Sequence, residues 1–149
     1  MTHLVFGHDE TVINWALERE PEGFAFAASW AVGIVDHHGA LRGAFSITQN
    51  SPTGVVIGVE SDGVLTRRAL RGIFAFIFEN LGATRCEMVT RRTNKSMKKH
   101  APKTLGFRFE GVRRDWYGQG EDALAFVMTP STCKWIEGHE FSIQDSKAA

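Results

Sequence analysis

The chain has 149 residues, 43% of them apolar, and 17 basic against 17 acidic side chains leave no formal net charge at pH 7. That length and apolar content suit one domain built around one sizeable core. No stretch approaches the roughly 20 apolar residues of a membrane span, the first residues lack the basic and apolar regions of a secretory leader, and Cys86 and Cys133 make neither a metal spacing nor a disulfide framework, so a cytoplasmic protein without membrane contact is expected.

His3 to Phe6 reads as a short strand. Asp9 is positioned to cap a helix that carries Val12, Trp15, Ala16 and Arg19 near one face and stops before Pro21. From Ala28 the pattern changes to alternation: Trp30, Val32 and Ile34 against Ala31, Gly33 and Val35, then Leu41, Gly43, Phe45 and Ile47 against Arg42, Ala44, Ser46 and Thr48. Asp36-His37-His38-Gly39 joins these two strands as a hairpin turn, and Asn50-Ser51-Pro52-Thr53-Gly54 makes a second turn into a strand with Val55, Ile57 and Val59. Three consecutive antiparallel strands result.

The clearest helix follows, with Leu70, Ile73, Phe74, Ile77 and Leu81 on one face, Phe76 and Phe78 widening it, and Gly82 at its end. Cys86, Met88 and Thr90 alternate in the next strand, which a helical connection makes parallel to the one before. Asn94 is placed to cap a short helix through Ala101, which Pro102 must break or terminate irregularly. Phe107 to Arg113 and Ala123 to Met128 then form a hairpin across Trp116-Tyr117-Gly118-Gln119-Gly120, and the chain after Pro130 turns polar and loosely ordered beyond Trp135.

Between Arg91 and Arg114 nine Lys or Arg residues face a single acid, Glu110. Three explanations fit this stripe: a solvated helix face, a seat for cofactor phosphates, or a track for nucleic acid. His37 and His38 fall in a turn where adjacent side chains do not converge on one ion, so no metal site is expected.

The order strand, helix, three-stranded meander, long helix, strand, short helix, strand pair resembles the GNAT superfamily of acyl-CoA-dependent N-acyltransferases. The residues that carry it are Phe76-Ile77-Phe78-Glu79-Asn80-Leu81-Gly82, Asn94-Lys95-Ser96, Leu105-Gly106-Phe107-Arg108-Phe109-Glu110-Gly111, and Asp122 with Phe126 and Met128. They look most like the branch containing ribosomal-protein N-terminal acetyltransferases. A looser likeness is to small GNAT proteins of bacteriophages, which would place the protein in a host cytoplasm or with the virion. The resemblance implies an α/β (α+β) fold over residues 1–135, with a mixed, mostly antiparallel sheet of about seven strands and about three helices, followed by a polar tail at 136–149.

It also implies acetyl-CoA as cofactor, an amine acceptor on a small molecule, a protein N-terminus or a lysine, and a possible homodimer. In such a fold the third meander strand and the next strand splay apart around the pantetheine arm, and the following helix start receives the pyrophosphate. Carried onto this chain, the cofactor residues are Val59, Gly63, Val64, Leu65, Thr66, Arg67, Arg68, Asn94 and Lys99, and the catalytic candidates are Glu60 as base with Ser96 and Tyr117. The loop Ser61 to Thr66 holds one glycine where the family has more, and Pro102 stands where a tyrosine acid is usual. Arg67 and Arg68 are the charged substitutes for the missing glycines. Two other readings remain open at this point: a GNAT-like module without catalysis that serves as a binding or virion-associated protein, and modification of a nucleic-acid base.

Overall fold

The computed structural model describes residues 2–19, 30–62 and 65–136. The expected strand start at Ala28, the helix stop before Pro21, the loop residues Gly63 and Val64, and the polar tail past Ile136 lie outside the described residues.

Seven strands form one sheet: β1 (His3–Val5), β2 (Trp30–Val35), β3 (Leu41–Gln49), β4 (Gly54–Ser61), β5 (Arg85–Arg91), β6 (Arg108–Gly118) and β7 (Glu121–Met128), in the order β1-β2-β3-β4-β5-β7-β6. Every pairing is antiparallel except β4 with β5. Among the described residues three α-helices flank it: α1 (Asp9–Arg19), α2 (Arg67–Ala75) and α3 (Lys95–His100). The mixed seven-stranded α/β architecture expected from the sequence is the one observed.

The alternation read in the strands sorts side chains to two faces. Val32, Ile34, Phe45, Ile47, Val55, Ile57, Cys86, Met88, Leu124, Phe126 and Met128 face one side, where α2 buries Ala69, Leu70, Ile73 and Phe74 against them. Ala31 and Ala44 face the other side, and these small residues admit the close approach of Val12 and Ala16 on α1. Gly33 extends that close fit, since a Cβ there would meet Leu41 Cδ2 at 2.7 Å and Val5 Cγ2 at 2.9 Å.

The helix starts refine the sequence reading. Asp9 is the first residue of α1 instead of its cap: the His8 carbonyl accepts the Val12 N–H, and the Asp9 carboxylate accepts the Ala31 N–H at 3.3 Å, pinning helix to sheet. Thr66 caps α2 with a bond from the Ala69 N–H to its Oγ1 (3.1 Å), and Asn94 caps α3 by accepting from the Met97 N–H. Both long segments end in a wide π-helical turn, Phe76–Asn80 and Ala101–Leu105. As expected, the α-helix ends irregularly at Pro102: the Ala101 N–H makes the last α-helical bond, to Met97, the missing N–H of Pro102 leaves the next one unmade, and the chain passes into the wide turn that Gly106 closes at φ +90°.

The last hairpin is tighter than expected. Trp116, Tyr117 and Gly118 belong to β6, and the turn is Gln119-Gly120. The offset is absorbed by a bulge at Asp115, with φ +55°, which the Asp122 carboxylate holds by accepting the Asp115 N–H at 3.0 Å. Beyond β7, buried Cys133 and Ile136 join the main core and Trp135 Nε1 donates to the Leu105 carbonyl at 2.8 Å. Cys86 is buried among them, and desolvation pushes its thiol far up, so it behaves as a small apolar residue.

Phe74 sits at the centre of this packing, with Phe107 at 5.9 Å and Phe78 at 6.3 Å between ring centroids. Phe74→Ala is expected to lower stability by about 3–5 kcal/mol, and Thr66→Ala by about 1 kcal/mol through loss of the cap. Urea unfolding at constant m-value measures both.

Candidate active site

Four residue pairs join β4 to β5: Gly54 with Arg85, Val55 with Cys86, Val56 with Glu87, and Ile57 with Met88. Beyond Ile57 the strands diverge. β4 stays on β3 as far as Ser61 opposite Gly43, while β5 stays on β7 as far as Arg91 opposite Ala123. The facing edges Gly58 to Ser61 and Val89 to Arg91 have no ladder between them, which leaves a cleft in the middle of the sheet. Where the divergence begins, the Gly58 N–H is taken by Oγ of buried Ser46 at 3.0 Å.

Glu60 and Arg91 stand at the same level on the two sides, each three residues past the last pair. Alternation brings both to the α1 face: Glu60 lies opposite Ala44, and Arg91 shares its face with Glu87. Arg91 is held there from two directions. Its guanidinium carbon lies 4.3 Å from the centre of the Tyr117 ring, and its Nη1 is 3.3 Å from Glu121 Oε1. Tyr117 is half-buried; desolvation raises its phenol above the ordinary value, and the Arg91 charge partly opposes this. A phenol so placed keeps its proton at neutral pH.

The cleft's entrance from β4 is fixed by charge. Asp62 takes Arg19 from α1 (3.4 Å) and Arg42 from β3 (3.7 Å), and Arg19 lies over the Trp15 ring at 3.7 Å. These are exposed pairs, each contributing little alone. Their consequence is positional, because they anchor the chain just before α2 begins.

The expected cofactor residues divide by what their side chains already do. Val59 and Leu65 pack on the main core, so they have only backbone to offer a ligand. The hydroxyl of Thr66 and the amide oxygen of Asn94 are engaged as helix caps. Arg67 and Arg68 are exposed in the first turn of α2, which holds no acid, and Lys99 and Ser96 are exposed on α3. The structure thus puts Glu60 and Arg91 on opposite edges of one cleft, with Tyr117 behind Arg91 on β6, the second strand beyond β5, and Ser96 on the helix that follows β5. Among the described residues no group of His, Cys, Asp or Glu could hold a metal ion.

Arg91 was visible in the sequence only as one more basic residue in the stripe. Its role depends on the register of β5, β7 and β6 together, for which a single sequence carries no local signal. The same holds for Glu87, which is buried on the α1 face of β5 between Arg85 and Arg113, with Arg85 also reaching Glu110 at 2.8 Å. That hydrogen bond is the main cause holding the Glu110 carboxyl below its ordinary value.

No protein-family model and no curated protein matches the sequence. Solved structures do match in three dimensions. A ribosomal-protein-S5-alanine acetyltransferase from Vibrio fischeri is similar with a TM-score of 0.65 at 16% identity, over 90% of this chain and 94% of that one. A Bacillus subtilis acetyltransferase in complex with CoA gives 0.67 at 13%, over 87% and 99%. The spermidine/spermine N-acetyltransferase of Vibrio cholerae, in mutant forms, gives 0.70 at 11%, over 92% and 98%. The strand order, the single parallel pair that opens into a cleft, and these likenesses together assign the chain the fold of the GCN5-related N-acetyltransferases.

Proposed function

We propose that the protein is an acetyl-CoA-dependent N-acetyltransferase that acts on a primary amine by direct attack on the thioester. The observation that carries this reading is the divergence of β4 and β5 after Ile57 and Met88, with Glu60 on one edge and Arg91, lying over the Tyr117 ring of β6, on the other. Proteins of this fold named for a ribosomal-protein alanine and for spermidine or spermine lend support, since both names denote amine acceptors.

The residues present fit the cofactor. The free strand edges of the cleft would hold an extended pantetheine arm, with Val59 and Leu65 contributing backbone, Asn94 at the head of α3, and Lys99 as a further phosphate partner. Arg67 and Arg68, with the positive end of α2 and the loop Gly63 to Thr66, would receive pyrophosphate. Two arginines in a helix's first turn oppose the dipole, and a bound anion removes that penalty. Charge-assisted bonds thereby take over part of what extra glycines would supply.

When bound, acyl-CoA supplies an activated acetyl group. The chain's own part is positioning and proton movement. Glu60 accepts the proton that an attacking ammonium must lose. Tyr117, kept protonated by its surroundings, is the candidate donor to the leaving thiolate, its ring held by Arg91 behind the opposite wall. Ser96 is the alternative orienting hydroxyl. A non-catalytic module of the same fold would bind without turnover, so binding and turnover are read separately.

Acetyl-CoA at a hundred times its dissociation constant is expected to add about 2.7 kcal/mol of stability in a thermal-shift series, and Arg67→Ala with Arg68→Ala to reduce that gain. Absence of any shift at millimolar acetyl-CoA refutes the reading. With a panel of polyamines, lysine and peptide N-termini, release of free thiol should fall about 10²–10⁴-fold in Glu60→Gln, with loss of the low-pH limb of the rate profile.

Tyr117 is the only tyrosine, so absorbance titration reports it alone. Its midpoint is expected above 10.0 in the folded protein. Arg91→Met, which keeps the cover and removes the charge, should raise it further. Below pH 10 both folded and unfolded chains are protonated there; above it the unfolded chain ionises first, so stability should fall as pH rises through that window.

A further inference from the structure

Most of the cations that the cleft does not use gather on and around α3, the helix that follows β5. From Arg92 to Phe109 there are six Lys or Arg residues and no acid. With zero net charge overall, the rest of the chain carries six net negative charges, so the protein is strongly polarised. Only Arg92 of the six is ion-paired among the described residues, to Asp122 at 3.4 Å.

The fold arranges four of the others, the lysines, on one surface. Met97, Ala101 and Leu105, spaced four apart, turn inward from α3 and its wide turn, with Ala101 and Leu105 fully buried. Lys95, Lys98, Lys99 and Lys103 are left exposed on the outer side. The wide turn lies against β6. On the same face of β6, Phe109 is 57% and Val112 45% exposed, Phe109 standing edge-on to Phe126 at 5.8 Å. Alternation from Val112 brings exposed Arg114 to this face as well. The acid of β6 is turned away: Glu110 is bound to Arg85 on the α1 face, beside Glu87.

Exposed apolar side chains on a sheet edge are ordinarily avoided, and a field of unpaired lysines is costly to hold together. A ligand that is both anionic and flat-faced resolves both costs at once. We propose that α3, its wide turn and the adjoining face of β6 bind single-stranded nucleic acid, the lysines and Arg114 tracking phosphates and Phe109 offering a stacking surface for an unpaired base. A duplex hides its base faces and would leave Phe109 unused. Apart from Lys99, which the proposed cofactor site also uses, this surface is independent of the acyl-transfer reading.

The test is fluorescence anisotropy with the full chain and labelled oligo-dT, oligo-U and a duplex of equal length, from about 50 mM salt upward. The expected result is tighter binding of both single strands than of duplex, with a log–log salt slope near −3.5 for about five phosphate contacts at about 0.7 each. Lys98→Glu with Lys103→Glu, both on the solvent side, should make the slope shallower by about 1.4. Phe109→Ala should weaken single-strand binding about fivefold or more while leaving the slope unchanged. Circular dichroism confirms that the variants are folded. No binding at the lowest salt overturns the proposal, as does wild-type binding by the lysine variant. Equal affinity for heparin and oligonucleotide, with Phe109→Ala without effect, overturns it in favour of an unspecific polyanion surface.

Discussion

The arrangement of this protein depends on a four-pair parallel contact in an otherwise antiparallel sheet. β4 and β5 are joined through α2, and a strand-helix-strand connection delivers the second strand parallel to the first. Each strand is also zipped along its full length to an antiparallel neighbour, β3 on one side and β7 on the other. The two halves of the sheet twist independently, so their junction holds only where α2 presses both strands together from the main core. Past Ile57 and Met88 that clamp ends, and the halves part. The lost ladder costs backbone hydrogen bonds, which the fold offsets with buried aromatic packing at Phe74, Phe78 and Phe107 and with the capture of the Gly58 N–H by Ser46.

Much of this was legible in the sequence, for local reasons. Strict alternation at 30–35 and 41–48, turn residues at 36–39 and 50–54, and the apolar stripe from Leu70 to Leu81 each encode an element within a few neighbours. The misreadings occur where a distant partner overrules a local signal. Asp9 has the chemistry of a cap, yet its carboxylate is drawn to the Ala31 N–H, one sheet layer away. By contrast, the irregular helix end at Pro102 is legible locally, because a missing N–H needs no distant partner. Trp116 to Gly118 resemble a loop because the bulge that keeps them in β6 is made by Asp122 from the next strand.

The candidate site follows the same division. Glu60 could be placed from sequence because its level is set by counting along one strand from a turn. The Arg91-Tyr117 contact could not, since three strands must be in register before the guanidinium meets the ring. Likewise the capping role of Thr66 and Asn94 is written locally, and it fixes these side chains at the helix starts, leaving the remaining hydrogen-bonding capacity of the hydroxyl and the amide to a ligand. Charge at Arg67 and Arg68 adds to that capacity.

The two surfaces are linked by covalent proximity. β5 forms one wall of the cleft and its last residue, Arg91, is separated from Lys95, the first residue of α3, by three residues capped at Asn94. Four residue steps reach at most about 14 Å. A polymer gripped along α3 would therefore have its next units within a short span of the cleft mouth. Because Glu87, Glu110, Arg85 and Arg113 pair among themselves on the α1 face, the carboxylates nearest that path are neutralised, and Glu60 faces the cleft without a second acid of this network beside it. On the two proposals, an amine acceptor would meet Glu60 in the cleft while a polyanion would meet the lysines of α3, three residues beyond the cleft wall.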